Sequence, residues 1–249
     1  MANQDLKPGE RLDKLLIDDL ELIQDPKHFC FSLDAVLLAN FVNPKKKDRV
    51  LDLGTGTGVI PHLTQAKYDL QEVWGIDIQQ EVIDMAQRSA KYNKLEDKLN
   101  FTEIDLKEAL EFFGSESFDY IISNPPYMKV GSGKVSPKKE VAIARYELEC
   151  KLEDIVKVSN QLVKYGGKVA YIHRAKRLAE LLALMKDYNL TPKRMRLIHS
   201  SKDSKAKLVL VEAVKGGGSG LEIKDPVIVY NKKGNYTTEI ENMYHPERD

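Results

Sequence analysis

The chain has 249 residues, of which 42% are apolar and 31% charged, as in an ordinary soluble globular protein, and 38 basic side chains balance 38 acidic ones. No apolar run approaches the roughly 18 residues of a membrane span, and zero net charge argues against indiscriminate nucleic-acid binding. The polar start lacks the apolar core of a signal peptide, and Cys30 and Cys150 form no spaced motif, so we expect a cytoplasmic protein without a metal site.

The first predicted elements form an N-terminal extension. The segment Leu20–Gln24 favours a short strand. Ser32 is placed to cap an apolar helix over residues 33–41, which Pro44 ends. We therefore expect residues 1–45 to pack as an extension on a larger core.

From residue 46 onward, strand-like and helix-like segments alternate, which is typical of a parallel sheet covered by helices. The predicted elements are strand 49–53, helix 59–67, strand 72–77, helix 81–92, strand 99–104, strand 118–122, helix 152–162, strand 168–172, helix 177–187 and strand 207–214. We predict an α/β domain over residues 46–215. A glycine-rich loop then opens residues 216–249, which we expect to be a loop and tail.

Glycines and acidic residues follow three successive strands of this core. Gly54, Gly56 and Gly58 form G-x-G-x-G, a tight turn whose bare backbone lets a ligand approach closely. At the next two strand ends, Asp77 can accept both hydroxyls of an adenosine ribose, and Asp105 can accept from an adenine amine. Each feature alone is explained as well by a plain turn or a cap. Together, at one edge of a sheet, they indicate an adenosine-bearing cofactor.

The tetrapeptide Asn124-Pro125-Pro126-Tyr127 follows the apolar run 120–122. Two successive prolines cannot continue a central strand, and they stiffen the backbone. The Asn124 side-chain oxygen and the Pro125 carbonyl can accept both N–H protons of a planar amine, whose ring face Tyr127 can cover. A proline turn alone explains the two prolines, but not their flanking residues beside a glycine loop. The sequence therefore predicts a site for an aryl amine here.

Basic side chains crowd the segment after this corner, at Lys129, Lys134, Lys138, Lys139 and Arg145. Their position beside the predicted site favours contacts with the phosphates of an RNA substrate over a merely solvated face. A second basic stretch, over residues 174–196, fits either interpretation.

The motifs of residues 50–58, with Asp77, Asp105 and residues 124–127, resemble those of Rossmann-like S-adenosylmethionine-dependent methyltransferases that methylate amines. The flanking runs, especially residues 31–38, are similar to the bacterial valine-tRNA adenine-37 N6-methyltransferase family. This resemblance implies a Rossmann-like methyltransferase fold. Its sheet would be mostly parallel and seven-stranded, with helices on both faces and an antiparallel C-terminal strand.

The resemblance also implies the cofactor, S-adenosyl-L-methionine, and the residues that bind it. These cofactor contacts are Asp52, Gly54, Thr55, Gly56, Gly58, Asp77, Ile78, Asp105, Leu106 and Asn124. The implied catalytic set is Asn124, Pro125, Pro126 and Tyr127. Ser32 or Asp34 is a further candidate for the methionine end of the cofactor. The implied substrate is N6 of an adenine in a tRNA anticodon loop, so tRNA is the expected partner, with no metal and no membrane.

Other functions share these motifs. The same tetrapeptide serves families that methylate guanine N2 in ribosomal RNA, adenine in DNA, or a glutamine amide in a protein. A nicotinamide-dependent oxidoreductase would need a later third glycine. A non-catalytic RNA-binding protein on the same fold would not need the intact set of Asp52, the glycine loop, Asp77 and Asn124.

Overall fold

Every element predicted from residue 46 onward is present in the computed structural model, which describes residues 6–15, 17, 19–28, 30–127 and 150–244. The strands are β1 Arg11–Lys14, β2 Glu21–Gln24, β3 Arg49–Leu53, β4 Glu72–Asp77, β5 Leu99–Glu103, β6 Phe118–Ser123, β7 Val163–Arg174, β8 Leu190–His199, β9 Ala206–Lys215 and β10 Glu222–Ile228. The helices are α1 Leu33–Phe41, α2 Val59–Tyr68, α3 Gln80–Tyr92, α4 Ala109–Phe113, α5 Leu152–Leu162, α6 Leu178–Asp187 and α7 Thr238–Tyr244.

Strands β3 to β10 form one sheet in the order β10-β8-β9-β7-β6-β3-β4-β5. Strand β9 is antiparallel to both of its neighbours, and the other neighbouring strands pair in parallel. The expected mostly parallel sheet with one antiparallel C-terminal strand is therefore confirmed. Because all strands except β9 point the same way, their carboxyl ends meet at one edge, where ligands bind in such folds.

Within the described part of the chain this sheet has eight strands, one more than the seven expected. The extra strand, β10, belongs to the segment expected to be a loop and tail. It lies at the edge, and Val227 is its one fully buried residue, so its sequence shows little apolar alternation. Strand β8 was not recognised either, since it contains Pro192 and several basic residues, which disfavour a strand assignment.

Helices cover both faces of the sheet and create two apolar layers. Residues of α1, α2 and α3 lie in one layer, and residues of α5 and α6 lie in the other. Strand β6 shows how a buried strand serves both layers. Tyr120 and Ile122 point into the first, and Ile121 points into the second. A strand buried on both faces reads as a continuous apolar run, which is why this one was recognised.

The N-terminal hairpin of β1 and β2 packs on α3 through specific polar contacts. The Ile23 N–H donates to Ser89 Oγ at 2.9 Å. The Asn93 side chain accepts from the Glu21 N–H at 3.1 Å and donates to the Glu21 carbonyl at 2.8 Å. The division of the chain at residues 45 and 215 stays a prediction. Among the described residues, no helix combines the length and apolarity needed to cross a membrane.

Candidate active site

A cavity of about 540 Å³ lies at the carboxyl edge of the sheet. Its walls include the loop 54–57, Asp77 at the end of β4, Asp105 just after β5, and the corner 124–127. The start of α1 and the end of β7 close it from the other side. The fold therefore brings together the motifs that the sequence places far apart. Two predicted site residues, Asp52 and Gly58, do not line the cavity and lie behind its wall.

Positive φ angles shape the glycine turn after β3. The φ angles of Gly54, Gly56 and Gly58 are +72°, +54° and +79°. A Cβ on Gly54 or Gly56 would meet no atom within 4 Å, whereas one on Gly58 would lie 2.8 Å from the Phe101 ring. Gly54 and Gly56 are thus required by backbone conformation, and they leave open space at the cavity wall. Gly58 is required by conformation and by packing.

Backbone hydrogen bonds hold this turn against β4. The N–H groups of Gly54 and Thr55 both donate to the Ile76 carbonyl at 2.9 Å. One Asp77 oxygen accepts from the Gly56 N–H, and the other accepts from the Gln79 N–H, each at 3.0 Å. Burial raises the pKa of Asp77, and these hydrogen bonds oppose that shift. Each carboxylate oxygen has a second lone pair, so Asp77 can still accept from a ligand hydroxyl.

Asp52 is a buried carboxyl group just before the glycine turn. Neither of its oxygens has a hydrogen-bond partner among the described residues, and the Thr55 hydroxyl has none either. Burial raises the pKa of Asp52 to about 7, and the nearby Asp77 charge adds to this rise. Buried polar groups are nearly always paired. An unpaired carboxyl next to the turn therefore leaves hydrogen-bonding capacity for a bound group.

The Tyr127 hydroxyl links two other polar groups at the opposite wall. It lies 2.6 Å from Asn124 Oδ1 and 2.7 Å from Asp34 Oδ2. Burial raises the pKa of Asp34, against the effects of the Tyr127 hydrogen bond and the Arg174 charge. A protonated Asp34 donates to Tyr127, which then donates to Asn124. With Asp34 ionised, Tyr127 donates to the carboxylate, and the Asn124 amide turns an N–H toward it.

The end of β7 contributes two residues whose place at the site was not recognised from sequence. The Arg174 guanidinium lies 5.0 Å from the centroid of the Tyr127 ring. His173 meets the same ring edge-on, with centroids 5.5 Å apart, and burial lowers its pKa to about 4. Their position could have indicated this role, because both residues directly follow the predicted strand 168–172, and strand ends border the site. Arg174 belongs to the second basic stretch, whose sequence fits either a phosphate contact or a solvated face.

Gln24 is a second feature that sequence analysis missed. This buried residue at the end of β2 donates from Nε2 to Thr57 Oγ1 at 2.6 Å. Its Oε1 accepts from the Phe31 N–H at 3.3 Å. Gln24 thus connects the hairpin to the glycine turn and to the chain entering α1.

Ser32 and the basic segment differ from expectation in separate ways. Ser32 is the N-cap residue directly before α1 and lines the cavity, but its side chain makes no capping hydrogen bond. The predicted RNA contacts Lys129, Lys134, Lys138, Lys139 and Arg145 lie outside the described residues. No group of three or more His, Cys, Asp or Glu side chains suited to a metal occurs in the described ranges.

The fold and the edge cavity are those of a methyltransferase, and comparison with known proteins agrees. Residues 31–175, more than half of the chain, match the family model of the methyltransferase small domain, so the chain belongs to this family.

Sequence comparison finds relatives named as tRNA methyltransferases. The tRNA1(Val) (adenine(37)-N6)-methyltransferase of Porphyromonas gingivalis is 27% identical over 201 residues, which cover 79% of this chain and 78% of that protein. The protein of the same name from Flavobacterium johnsoniae is 26% identical over 209 residues, covering 82% and 86%. The crystal structure of a predicted O-methyltransferase from Agrobacterium tumefaciens is similar with a TM-score of 0.69 at 24% identity, covering 85% of this chain and 95% of that one.

These findings confirm the expected enzyme class and cofactor: the protein is an S-adenosylmethionine-dependent methyltransferase. The described residues also fit this cofactor. The turn leaves open space at Gly54 and Gly56, and Asp52 offers two unpaired oxygens beside it. Ile78 lines the cavity next to Asp77 and is 38% exposed, which provides an apolar surface for an adenine ring.

Proposed function

We propose that the protein transfers the methyl group of S-adenosylmethionine to the exocyclic amine of a nucleic-acid base, and that this base is an adenine, at N6, in a tRNA anticodon loop. One observation carries the proposal: Asn124 and Pro125 line the same cavity as the glycine turn. An amine held by this corner therefore faces the place where a methyl donor would bind. The names of the relatives from Porphyromonas gingivalis and Flavobacterium johnsoniae support adenine in tRNA.

We assign the cofactor contacts from the positions of the side chains. Residues 54–58 and Asp52 would hold the methionine end, with Thr55 among them, and Asp77 and Ile78 would hold the ribose and the adenine. Asp105 and Leu106 line the cavity where the adenine amine would lie. When bound, S-adenosylmethionine supplies an electrophilic methyl group on a sulfonium sulfur.

The Asn124 corner would make a weak nucleophile reactive. The lone pair of an adenine amine is delocalised into the ring, so the nitrogen must pyramidalise before it attacks. Hydrogen bonds from its N–H groups to Asn124 Oδ1 and the Pro125 carbonyl favour that change. They strengthen as positive charge develops on nitrogen, which is the condition for catalysis. An amide oxygen has two lone pairs, so Asn124 can accept from Tyr127 and from the substrate together.

Proton release would follow methyl transfer. Asn124 is no base, so the extra proton would leave to water after the new N–C bond has formed. Pro126 keeps the corner rigid, since its ring fixes φ and it donates no hydrogen bond. Positioning of the amine against an already activated methyl group would supply much of the remaining acceleration.

The substrate base would stack on Tyr127. The Arg174 guanidinium occupies one face of that ring, so the base would use the other face. An anticodon-loop base is single-stranded and is splayed out at a cost of about a few kcal/mol. We propose that Lys129, Lys134, Lys138, Lys139 and Arg145 contact its phosphates, as their position in the sequence suggests. A tRNA substrate also supports a cytoplasmic location.

A substrate panel tests this function. The protein would be incubated with S-adenosylmethionine labelled at the methyl group and with separated tRNA, ribosomal RNA and protein from one lysate. We expect label in tRNA, recovered as N6-methyladenosine after digestion to nucleosides, and background label with Asn124→Ala. Label found as N2-methylguanosine in ribosomal RNA, or as methylated glutamine in protein, would overturn the assignment of the substrate.

A further inference from the structure

Two segments far from the Asn124 corner reach the same edge of the sheet. Strands β7, β8 and β10 run in the same direction, so their carboxyl ends lie together. The loop after β8 and the turn after β10 are joined there. The Val229 N–H donates to the His199 carbonyl at 2.9 Å, and the Tyr230 N–H donates to the Ser200 carbonyl at 2.8 Å. Residues 200–205 and 229–237 therefore form one continuous surface.

Three tyrosine rings are stacked on this surface. The centroids of Tyr230 and Tyr236 are 5.4 Å apart with planes at 14°, and those of Tyr236 and Tyr244 are 5.9 Å apart at 23°. Tyr244 packs against the apolar layer that contains α1, so one end of the stack is anchored. Tyr230 and Tyr236 are 41% and 37% exposed. An anchored stack with exposed rings offers a face on which a nucleobase can continue the stacking.

Four lysines lie in the two segments that form this surface. Lys202 and Lys205 lie in the loop after β8, and Lys232 and Lys233 lie in the turn after β10. All four are exposed, and none forms an ion pair with another described residue. One acidic side chain, Asp203, lies among them, so the two segments carry a net positive charge. Unpaired ammonium groups beside exposed aromatic rings are the combination that single-stranded nucleic acid requires.

We propose that this surface, which we call the C-terminal platform (Lys202, Lys205, Tyr230, Lys232, Lys233 and Tyr236), binds RNA flanking the target base. The inference rests on the proposed function and adds a second contact region to it. Four strand spacings separate β6 from β10 in the sheet order, or about 19 Å at ~4.8 Å per spacing. A single RNA strand with stacked bases has one phosphate every ~3.4 Å, so about six nucleotides cover that distance. One RNA arm can therefore reach both the platform and the Asn124 corner.

Charge reversal tests the platform. The double variant Lys232→Glu/Lys233→Glu would be compared with Lys45→Glu/Lys47→Glu, a matched charge change on exposed residues before β3, at the opposite edge of the sheet. Fluorescence anisotropy would measure binding of a labelled bacterial valine-tRNA transcript at several salt concentrations. We expect the platform variant to bind at least about tenfold more weakly. The slope of log K against log salt should fall in magnitude by about 1.4, the value for two lost single-strand phosphate contacts.

Stacking has its own test. Tyr230→Ala should weaken binding of the same transcript by about 5- to 150-fold, the range for loss of one base–aromatic stack, while Tyr230→Phe should bind like the unmodified protein. Affinity for S-adenosylmethionine, measured by calorimetry, should be unchanged in all of these variants and would show that they are folded.

The outcomes separate the two proposals. If the unmodified protein methylates tRNA and the platform variants bind it with unchanged affinity and salt slope, the platform is refuted and the function stands. An equal loss in the Lys45/Lys47 control would refute it too, because the effect would be one of net charge. If the protein methylates only ribosomal RNA or protein, the tRNA function itself falls, whatever the platform variants do.

Discussion

The two walls of the cavity are built in different ways. The cofactor wall, formed by the glycine turn with Asp77 and Asp105, depends on backbone geometry at the ends of neighbouring strands. The amine wall, formed by Asn124, Tyr127, Asp34 and Arg174, depends on side chains that meet from distant parts of the chain. The Tyr127–Asp34 contact spans 93 positions in the sequence.

The walls also differ in how their polar groups are satisfied. Both oxygens of Asp52, behind the cofactor wall, lack a partner among the described residues. At the amine wall, Asp34, Tyr127 and Asn124 bond to one another. The second wall is therefore held in place before any substrate binds, whereas a carboxyl group behind the first wall is left unpaired. Such preorganisation is what electrostatic stabilisation of a transition state requires.

The largest expected effect is at the amine wall. Asn124→Ala removes the side-chain acceptor that strengthens its bond in the transition state, so kcat for methyl transfer should fall by roughly two to three orders of magnitude. Asn43→Ala, at an exposed asparagine before β3, is the control. Single-turnover transfer from labelled cofactor measures both. Near-normal turnover of Asn124→Ala would show that the Asn124 side chain does not accelerate methyl transfer.

The next effect concerns Asp52 and pH. Burial raises its pKa to about 7, so the folded protein keeps a proton that the unfolded chain loses near pH 4. This carboxyl therefore makes the free energy of unfolding fall as pH rises from about 4 to 7. Asp52→Asn lacks this titrating group, so this pH-dependent loss should disappear. The free energy of unfolding of the variant, relative to that of the unmodified protein, should rise by up to about 1.4 kcal/mol per pH unit in this window.

Thermal unfolding from pH 4 to 8 measures this difference between the Asp52 variant and the unmodified protein. Asp187→Asn, at an exposed carboxyl group, is the control for the removal of a carboxyl charge. A difference between Asp52→Asn and the unmodified protein that does not change with pH would mean that Asp52 is ordinarily ionised. The contrast between an unpaired carboxyl group behind one wall and the mutually bonded groups of the other would then be lost.

Two glycines of the turn provide a matched pair. Gly58→Ala combines a positive φ with a Cβ 2.8 Å from the Phe101 ring, so it should destabilise the fold by about 2–4 kcal/mol. Gly56→Ala has a positive φ but open space, so about 1 kcal/mol is expected. Urea unfolding of both variants decides the ranking. Equal losses would contradict the separate roles given to conformation and packing.

The smallest expected effect is that of a single hydroxyl. Tyr127→Phe keeps the ring but removes the link between Asp34 and Asn124, so kcat should fall by about tenfold, the value of one net hydrogen bond. Tyr165→Phe, at a tyrosine that is 71% exposed, is the control. If Tyr127→Phe transfers methyl groups at the normal rate, the hydroxyl does not position Asn124.

The cofactor wall could be predicted from sequence because its signals are local. Each motif occupies a few residues directly after an apolar strand, and parallel strands bring such ends together. The same reasoning placed the Asn124 corner. Most core strands were recognised because they are buried on both faces and read as apolar runs.

The remaining features could not be predicted because they depend on tertiary contacts. The partnership of Asp34 with Tyr127, and the position of Arg174 over its ring, require knowing which helix and strand border the cavity. Gln24 is buried only because β2 packs beside the glycine turn. Strand β10 has one fully buried residue, so its sequence carries little periodicity, and its place is set by the open edge of β8.

The central claim is that the corner accepts the N–H groups of an adenine amine. It is tested most directly with two valine-tRNA transcripts that differ at position 37, one with adenine and one with inosine, which has no exocyclic amine. With labelled cofactor, we predict methylation of the adenine transcript and none of the inosine transcript, although both bind. Equal methylation of the two would contradict the claim, because the methyl group would then be going to another atom.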